Sequence, residues 1–214
     1  MTSKNLADIR NEYSSRALSE EKIDSDPFAQ FGIWMDEALE SQANEPTAMT
    51  LSTVAGDGRP SSRVVLLKGY DSNGFVFFTN YNSRKGRELA QNPYAAINFF
   101  WPELERQVNI SGRTSKVSAE ESDEYFKSRP FTSRVGAWAS DQSEKIDSRT
   151  AIMIKAAKLL VKYASGNVPR PPHWGGLRLV PDRFEFWQGR ESRLHDRICF
   201  ELHENSWMIC RLSP

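Results

Sequence analysis

The spacing of apolar residues divides the chain into a polar start, one clear helix and a long series of strands. Residues 1–25 are polar and rich in charge, which predicts an N-terminal arm. After the arm, Asp26 can cap a helix, Pro27 fits its first turn, and the apolar residues from Phe28 to Leu39 recur at a roughly helical interval. We therefore predict a helix that begins at Asp26.

The pattern then changes to that of strands. Runs rich in β-branched and aromatic residues lie at about 48–55, 61–69 and 75–80, and the turn-like sequences GDGRP and DSNG separate them. Two more strands are predicted at YAAINFFW and ERQVNISGRTSKV, and three in the tail at LRLVPDRFEFWQ (with a turn inside it), RICFEL and SWMICRL. Tight turns between most of these strands predict antiparallel pairing, and such a sheet commonly closes into a small barrel.

Three further helices are predicted between the strands. One runs from Ser83 to Gln91, a capping box at Ser118 opens another that ends at about Ser128, and a loop, FTSRVGAWASDQS, leads to a third near 146–164. The predicted fold class is mainly β (α+β), an antiparallel sheet closed into a small barrel with peripheral helices; the family resemblance described below implies a split β-barrel. We expect residues 26–214 to form a single domain.

The composition of the chain argues against several classes of protein. The 214 residues carry 28 basic and 28 acidic side chains, and this balance argues against a dedicated nucleic-acid or membrane-surface protein. The two cysteines are too few for a disulfide framework or a zinc site. No apolar run resembles a signal peptide or a membrane span, so we expect a cytoplasmic protein.

Cations at a helix start form the first candidate site. Arg84 and Lys85 directly follow Asn82-Ser83, where free N–H groups and the helix dipole favour an anion. Cations in a first turn are unfavourable for the helix itself, and such conflicts are expected at functional sites. In the strand RVVLLK, Arg63 and Lys68 could contact a ligand, or they could be the ends of an ordinary core strand.

A second anion site is predicted on the helix that Ser118 opens. Tyr125 and Arg129 are four residues apart and share one helix face, and Ser133 follows in the loop. Together with Lys68 these groups could bind a phosphate, because each hydrogen bond to a charged group contributes about 1.5–3 kcal/mol. A solvated helix face is the alternative.

The stretch FWQGRESRLHDR concentrates cations beside an indole. If it enters a strand, Arg193, His195 and Arg197 lie on one face, next to Trp187. An indole beside arginines suits a flat heteroaromatic ligand, whereas the alternative is a solvated strand edge. The three histidines lack the spacing of metal ligands, and neither GxSxG nor GxGxxG is present.

These motifs together resemble the pyridoxine/pyridoxamine 5′-phosphate oxidase family. The resemblance rests on RVVLLK, FFTNYNSRKGREL, ERQVNISG, YFKSRPFTSRVGAWAS and above all FWQGRESRLHDR, with RLSP at the end of the chain. It extends to IRNEY and DPFAQFGIWMDEA near the N-terminus, so it covers nearly the whole chain. The family implies a split-barrel homodimer with FMN at the subunit interface.

The resemblance also implies a role for individual residues. The FMN contacts would be Arg63, Val64, Val65, Leu66, Leu67, Lys68, Phe78, Thr79, Arg84, Lys85, Gln107, Gln142, Ser143, Trp187 and Arg197. The substrate phosphate would be bound by Lys68, Tyr125, Arg129 and Ser133, the pyridine ring by the catalytic pair Arg193 and His195, and Arg10 and Tyr13 would close over it. Phe78 stands where the family often has Tyr, which would remove a phenol hydrogen bond.

The implied reaction oxidises pyridoxine or pyridoxamine 5′-phosphate to pyridoxal 5′-phosphate, while O₂ is reduced to H₂O₂. Two alternatives remain at this point. One is a different flavin oxidase on the same barrel, such as one that acts on a phenazine precursor. The other is a non-catalytic protein that binds flavin or pyridoxal phosphate, although simple binding would not need both Arg193 and His195. No nucleic-acid or membrane partner is expected.

Overall fold

A computed structural model describes residues 17–214 of the chain. Five α-helices are present in this range: α1 (Pro27–Glu40), α2 (Arg84–Gln91), α3 (Ala119–Ser128), α4 (Phe131–Ala139) and α5 (Arg149–Lys162). The nine strands are β1 (Ala48–Val54), β2 (Pro60–Leu66), β3 (Gly69–Asp71), β4 (Gly74–Asn80), β5 (Tyr94–Trp101), β6 (Arg106–Lys116), β7 (Trp174–Gln188), β8 (Asp196–His203) and β9 (Ser206–Arg211). Within residues 17–214, no helix combines the length and apolar character that a membrane span needs.

The strands belong to one hydrogen-bonded sheet. Its order is β2-β1-β5-β6-β7-β4-β3, and β8 pairs with both β7 and β9. The pairs β1–β2, β3–β4, β4–β7, β7–β8 and β8–β9 are antiparallel, as the tight turns of the sequence predict. The long strand β7 pairs with β4 through its first half and with β8 through its second half.

By their internal contacts, the residues form two compact units. Among the described residues, the first unit comprises 17–46, Asn98–Ile110 and Asp182–Pro214, and the second comprises Thr47–Ile97 and Ser111–Pro181. That residues 26–214 act as a single domain stays a prediction.

Aromatic side chains form the core of the first unit. The Phe31 ring of α1 packs 5.1 Å from Phe99, and the Trp34 ring meets Phe186 edge-on at 5.2 Å, measured between ring centroids. These four side chains are almost completely buried, and each such burial contributes roughly 1.5–3 kcal/mol to folding. The apolar stripe of α1 therefore packs against strand residues of its own unit.

In the second unit, alternating strand residues and a helical cluster provide the core. Along β1 every second residue is buried, from Met49 to Thr53, as expected for a strand with one face inside. A separate cluster is formed by Phe126, Val135, Tyr163, Val168 and Trp174. This cluster supports α3 and α4, which carry part of the site described below.

Three helix starts agree with the sequence-based prediction. The Asp26 carboxylate accepts a hydrogen bond from the Phe28 N–H at 2.9 Å. The Ser118 hydroxyl accepts one from Glu121, and the Ser83 hydroxyl accepts one from Gly86. Each cap satisfies one of the N–H groups that a helix start leaves without a partner.

Three elements differ from the prediction. The stretch predicted as a loop contains α4, because Val135 and the partly buried Phe131 pack into the aromatic cluster, a contact that local sequence does not reveal. The turn predicted inside LRLVPDRFEFWQ is wrong, since β7 continues through Pro181 as one strand of 15 residues. The short strand β3 was also not predicted.

Candidate active site

A cavity of about 980 Å³ opens in the second unit. Its size is that of a typical small-molecule site. Strand β2, the end of β4, the start of α2 and the segment from α3 to α4 provide its lining. The cavity therefore brings together both anion sites that the sequence predicts.

A buried carboxylate organises the first group of cations. Glu88 is 5% exposed and accepts hydrogen bonds from Thr53 at 2.5 Å and from Ser61 at 2.6 Å. It also pairs with Arg63 (3.3 Å) and with Arg84 (2.8 Å). Although burial opposes the shift, these hydrogen bonds and the Arg84 charge lower the pKa of Glu88 to about 2. The carboxylate is therefore ionised at neutral pH and holds both guanidinium groups in place.

Lys85 lies beside this network and is also buried. Its ammonium group donates to Gln142 at 3.1 Å and to the hydroxyls of Thr79 and Ser83 at 3.3 Å. Burial lowers the pKa of Lys85, and the nearby charge of Arg63 lowers it further. A buried cation whose described hydrogen-bond partners are neutral is suited to bind an anion.

One glycine allows the start of α2 to approach strand β4 closely. A Cβ atom on Gly86 would come 2.2 Å from the carbonyl oxygen of Tyr81, so only glycine fits. This contact fixes the first turn of α2, which carries Arg84 and Lys85, against the end of the strand.

The second group of polar residues is arranged along an aromatic stack. The Phe78 ring lies 3.9 Å from Tyr125 and 5.5 Å from Trp174, with nearly parallel planes. The Arg129 guanidinium lies over the Trp174 ring at 4.6 Å. Opposite Phe78, a Cβ on Gly176 would come 2.9 Å from the phenyl ring, so the stack depends on that glycine.

Arg129 carries a polar atom without a partner. Its Nη1 is buried and makes no hydrogen bond to any group in residues 17–214. Burial lowers the pKa of this guanidinium, and Tyr125 only partly opposes that effect. Because a buried unpaired donor is costly, an anion in the cavity is the natural partner for it.

The cationic C-terminal row, Trp187 to Arg197, belongs to the first unit. The backbone N–H of Arg190 donates to His195 Nδ1 at 3.1 Å, and the His195 ring lies 4.7 Å from Trp187. In a neutral imidazole this contact leaves the proton on Nε2. Arg197 is fixed by the buried carboxylate of Glu185 at 2.9 Å.

The predicted strand geometry of this row is wrong. Residues 191–193 form a short 3₁₀ turn, and β8 begins only at Asp196. Arg193 has a φ of 61° and is exposed, so alternation along a strand does not relate it to His195 and Arg197. Two residues with positive φ in succession, Ser192 and Arg193, give this turn the strained backbone that is often found at functional sites.

Most of the predicted site residues line the cavity. They are Arg63, Val64, Val65, Leu66, Lys68, Phe78, Thr79, Arg84, Lys85, Tyr125, Arg129, Ser133, Gln142 and Ser143. The other predicted residues within the described part are not in that lining: Leu67, which is buried, and Gln107, Trp187, Arg193, His195 and Arg197. Arg10 and Tyr13 lie outside the described residues.

Sequence reasoning did not identify Glu88 or Trp174. Glu88 lies four residues after Arg84, the spacing of a helical ion pair, so a signal for it existed. Trp174 stands in the connector PPHWGG and became part of the site only through the stack with Phe78 and Tyr125.

Comparisons with known proteins agree with the resemblance seen in the sequence. Residues 35–163 match the family model "Pyridoxamine 5′-phosphate oxidase", and residues 174–214 match "Pyridoxine 5′-phosphate oxidase C-terminal dimerisation region". A pyridoxine/pyridoxamine 5′-phosphate oxidase of Actinobacillus pleuropneumoniae serotype 3 (strain JL03) is 58% identical over 209 residues, which cover 98% of this chain and 99% of that protein.

Solved structures confirm the predicted fold class. PhzG of Burkholderia lata 383, in complex with tetrahydrophenazine-1-carboxylic acid, is 34% identical with a TM-score of 0.88, covering 94% of this chain and 100% of that one. A pyridoxamine 5′-phosphate oxidase-related protein of Nostoc punctiforme is 17% identical with a TM-score of 0.70, covering 88% and 98%. The chain therefore has the mainly β split-barrel fold that the sequence predicts.

Proposed function

The chain is an enzyme of the pyridoxine/pyridoxamine 5′-phosphate oxidase family, and we propose that it oxidises pyridoxine 5′-phosphate or pyridoxamine 5′-phosphate to pyridoxal 5′-phosphate. FMN is the proposed cofactor and O₂ the acceptor, which is released as H₂O₂. The observation that carries this proposal is one cavity with two separate groups of anion-binding side chains, as a phosphorylated cofactor and a phosphorylated substrate require.

The two groups suit two different phosphates. Arg84 and Lys85, with Arg63 behind them, would hold the FMN phosphate, because Glu88 already fixes both guanidinium groups. Lys68, Tyr125, Arg129 and Ser133 would hold the substrate phosphate. The unpartnered Nη1 of Arg129 supports this assignment, since a phosphate oxygen would satisfy it.

Bound FMN would accept the hydride that leaves the substrate C4′ atom, and the side chains of this chain would orient the reactants. The proton on His195 Nε2 can be donated to the pyridine ring or its 3-hydroxyl, because Nδ1 is occupied by the Arg190 N–H. Arg193 would stabilise negative charge on the same ring. The remaining proposed FMN contacts are those that the family resemblance implies.

We further propose that the active protein is a homodimer in which the C-terminal row of one subunit faces the cavity of the other. The row lies within the region that matches the dimerisation model, and none of its residues is among those that line the cavity of its own chain. Val64 is 67% exposed on strand β2 at the edge of the cavity, which suits a subunit contact.

Mixed dimers test this arrangement. Arg129→Gln removes a phosphate-binding group from the cavity and Arg193→Gln removes a cation from the row, so each variant alone should lose most of its kcat/KM. If a site combines the cavity of one subunit with the row of the other, a mixed dimer contains one intact site, and co-refolding the two variants restores activity. If both parts come from one chain, no mixture gains activity, and the proposed arrangement is wrong.

The overall reaction is tested most directly on the purified protein. We expect yellow flavin absorption, formation of the aldehyde from pyridoxine 5′-phosphate under air, and release of peroxide. The Arg193→Gln variant should retain flavin and lose most of its kcat/KM. Unchanged turnover in that variant would contradict the catalytic role, and a colourless protein that does not bind added FMN would contradict the cofactor.

A phenazine-type oxidase is the second candidate, and the high structural similarity to PhzG favours it. The groups around Arg129 argue for a phosphorylated substrate instead, because a doubly charged phosphate can pair with both Lys68 and Arg129, whereas the single carboxylate of a phenazine precursor neutralises only one of them. Oxygen consumption with tetrahydrophenazine-1-carboxylic acid, compared with pyridoxine 5′-phosphate on the same preparation, distinguishes the two.

A further inference from the structure

The two cysteines of the chain face each other across the last hairpin. Cys199 lies in β8 and Cys210 in β9, and the register pairs them directly. Residues opposite each other in an antiparallel pair point to the same face of the sheet. Both thiols are free, and Cys199 is buried whereas Cys210 is exposed.

The hydrogen-bond pattern of the hairpin fixes the geometry of this pair. The N–H of Leu212 donates to the carbonyl of Arg197 at 2.9 Å, so these opposed residues form a hydrogen-bonded pair. Such pairs alternate along antiparallel strands, so Cys199 and Cys210 also form one. Their Cα atoms are therefore about 5.5 Å apart, inside the range of about 4.4–6.8 Å that a disulfide spans.

A disulfide at this position would form and would also be easily reduced. Opposed Cβ atoms lie about 4.5–5.5 Å apart, whereas a relaxed disulfide needs about 3.5–4.5 Å. The two strands must therefore move slightly closer when the bond forms. Strain of this kind makes a disulfide labile, unlike the relaxed bonds of structural disulfides.

The different burial of the two sulfurs gives them different roles. Burial raises the pKa of the Cys199 thiol to about 11, so little of the reactive thiolate exists there at neutral pH. On the single chain Cys210 is exposed, so a dissolved oxidant would meet this thiol first. Cys199 then lies in position to react with the oxidised partner.

We propose that Cys199 and Cys210 form a reversible disulfide when the protein meets a hydroperoxide. The Cys210 thiolate attacks hydrogen peroxide, an S–O bond forms, the O–O bond breaks and hydroxide leaves as water after taking up a proton. The Cys199 sulfur then loses its proton and attacks the sulfenic acid, so that the S–S bond forms and a second water leaves. Two thiols are oxidised and one peroxide is reduced.

The geometry of the hairpin alone carries this proposal, although the proposed oxidase reaction would supply the peroxide. Arg197 lies two residues from Cys199, and Arg211, which follows Cys210, holds Asp196 at 2.8 Å and Glu20 at 2.7 Å. The disulfide would therefore join the two strands next to residues that fix the C-terminal row.

The test uses the full-length protein, reduced and then treated with hydrogen peroxide, quenched with catalase, unfolded and alkylated with N-ethylmaleimide. We expect an intact mass lower by two hydrogen atoms, loss of both alkylation sites, and one cross-linked peptide that contains both cysteines. Incubation with glutathione before unfolding should restore both alkylation sites.

Variants separate the two steps. Cys199→Ala should leave a sulfenic acid on Cys210 that dimedone traps, and Cys210→Ser, at an exposed position, should leave Cys199 fully alkylated after unfolding. The proposal is overturned if wild-type protein keeps both alkylation sites, if Cys210 is oxidised to the sulfinic acid beside an intact Cys199, or if the disulfide joins two chains. Because peroxide is added directly, an inactive oxidase would not affect the result.

Discussion

The two cationic groups of the cavity differ in how their charges are satisfied. Arg63 and Arg84 are paired with the buried carboxylate of Glu88. Arg129 instead lies over an aromatic ring, and its Nη1 has no partner among the described residues. The first group is organised before any ligand arrives, whereas the second is completed only by an anion. This contrast suits a cofactor that stays bound and a substrate that is exchanged at every turnover.

Among the substitutions that test this contrast, Arg129→Gln should have the largest effect. Loss of a charged hydrogen bond of about 1.5–3 kcal/mol should lower kcat/KM for pyridoxine 5′-phosphate by roughly tenfold to a hundredfold. Steady-state kinetics measure this loss, and Lys127→Gln, which changes an exposed side chain in the last turn of α3, is the control. Pyridoxine without its phosphate should be oxidised with the same kcat/KM by the variant and the wild type. An equal loss of kcat/KM on both substrates would show that Arg129 does not bind the phosphate.

The next effect concerns stability. Glu88→Gln should lower the free energy of unfolding by about 2–3 kcal/mol, because Arg63 loses its buried partner. Denaturant unfolding of the cofactor-free protein measures it. Glu144→Gln, which breaks the half-exposed pair with Arg87, is the matched control and should cost less than about 1 kcal/mol.

The stability of Glu88→Gln should also depend on pH differently from that of the wild type. The folded pKa of Glu88 is about 2 against an ordinary 4.5, so its stabilisation is complete above about pH 4.5 and is lost as the pH falls toward 2. Glu88→Gln should therefore lose less stability than the wild type over this interval. Parallel acid titrations of the two proteins would contradict the assignment.

A smaller effect is expected for the pH dependence of FMN binding. Burial lowers the pKa of Lys85. As the pH rises, its ammonium group therefore loses its proton earlier than an ordinary lysine, whose pKa is 10.5. A bound phosphate favours the charged form, so affinity should fall as the pH rises toward that value, by roughly threefold or more. Flavin fluorescence titrations measure the decrease, and Lys85→Arg, which keeps its charge, should show less of it.

The smallest effect is expected for Phe78→Tyr. The ring keeps its stack on Tyr125 and Trp174, so kcat/KM should change by less than about twofold. Phe78→Leu removes the aromatic stack and serves as the contrast. A large gain from the added hydroxyl would indicate that this chain has lost a hydrogen bond that the site uses.

Local signals in the sequence predicted much of this fold. Caps at Asp26, Ser83 and Ser118 are decided by side chains within three residues of the helix start, and all three are confirmed. Helix α4 was not predicted because its stabilising contacts come from Tyr163 and Val168, far along the chain. The 3₁₀ turn at Arg193 was not predicted. Ser192 and Arg193 both have a positive φ, which residues other than glycine rarely adopt, so the local sequence gave no sign of this turn.

The site itself was predicted through charge and through the family motifs. Basic residues near a helix start, and a Tyr/Arg pair on one helix face, were recognised without tertiary information. What the sequence did not reveal was which cation has a counter-ion, since Thr53, Ser61 and Arg63 reach Glu88 only through the folded sheet. Whether Arg10 and Tyr13 take part stays a prediction.

The buried carboxylate of Glu88, which pairs with two residues that line the cavity, has a consequence for how the enzyme is produced. Since Glu88 supplies the negative charge that Arg63 and Arg84 need, these two cations would not require a bound flavin phosphate while the chain folds. Loading can then follow as a separate event. Supply of the cofactor would then control how many of the folded molecules are active.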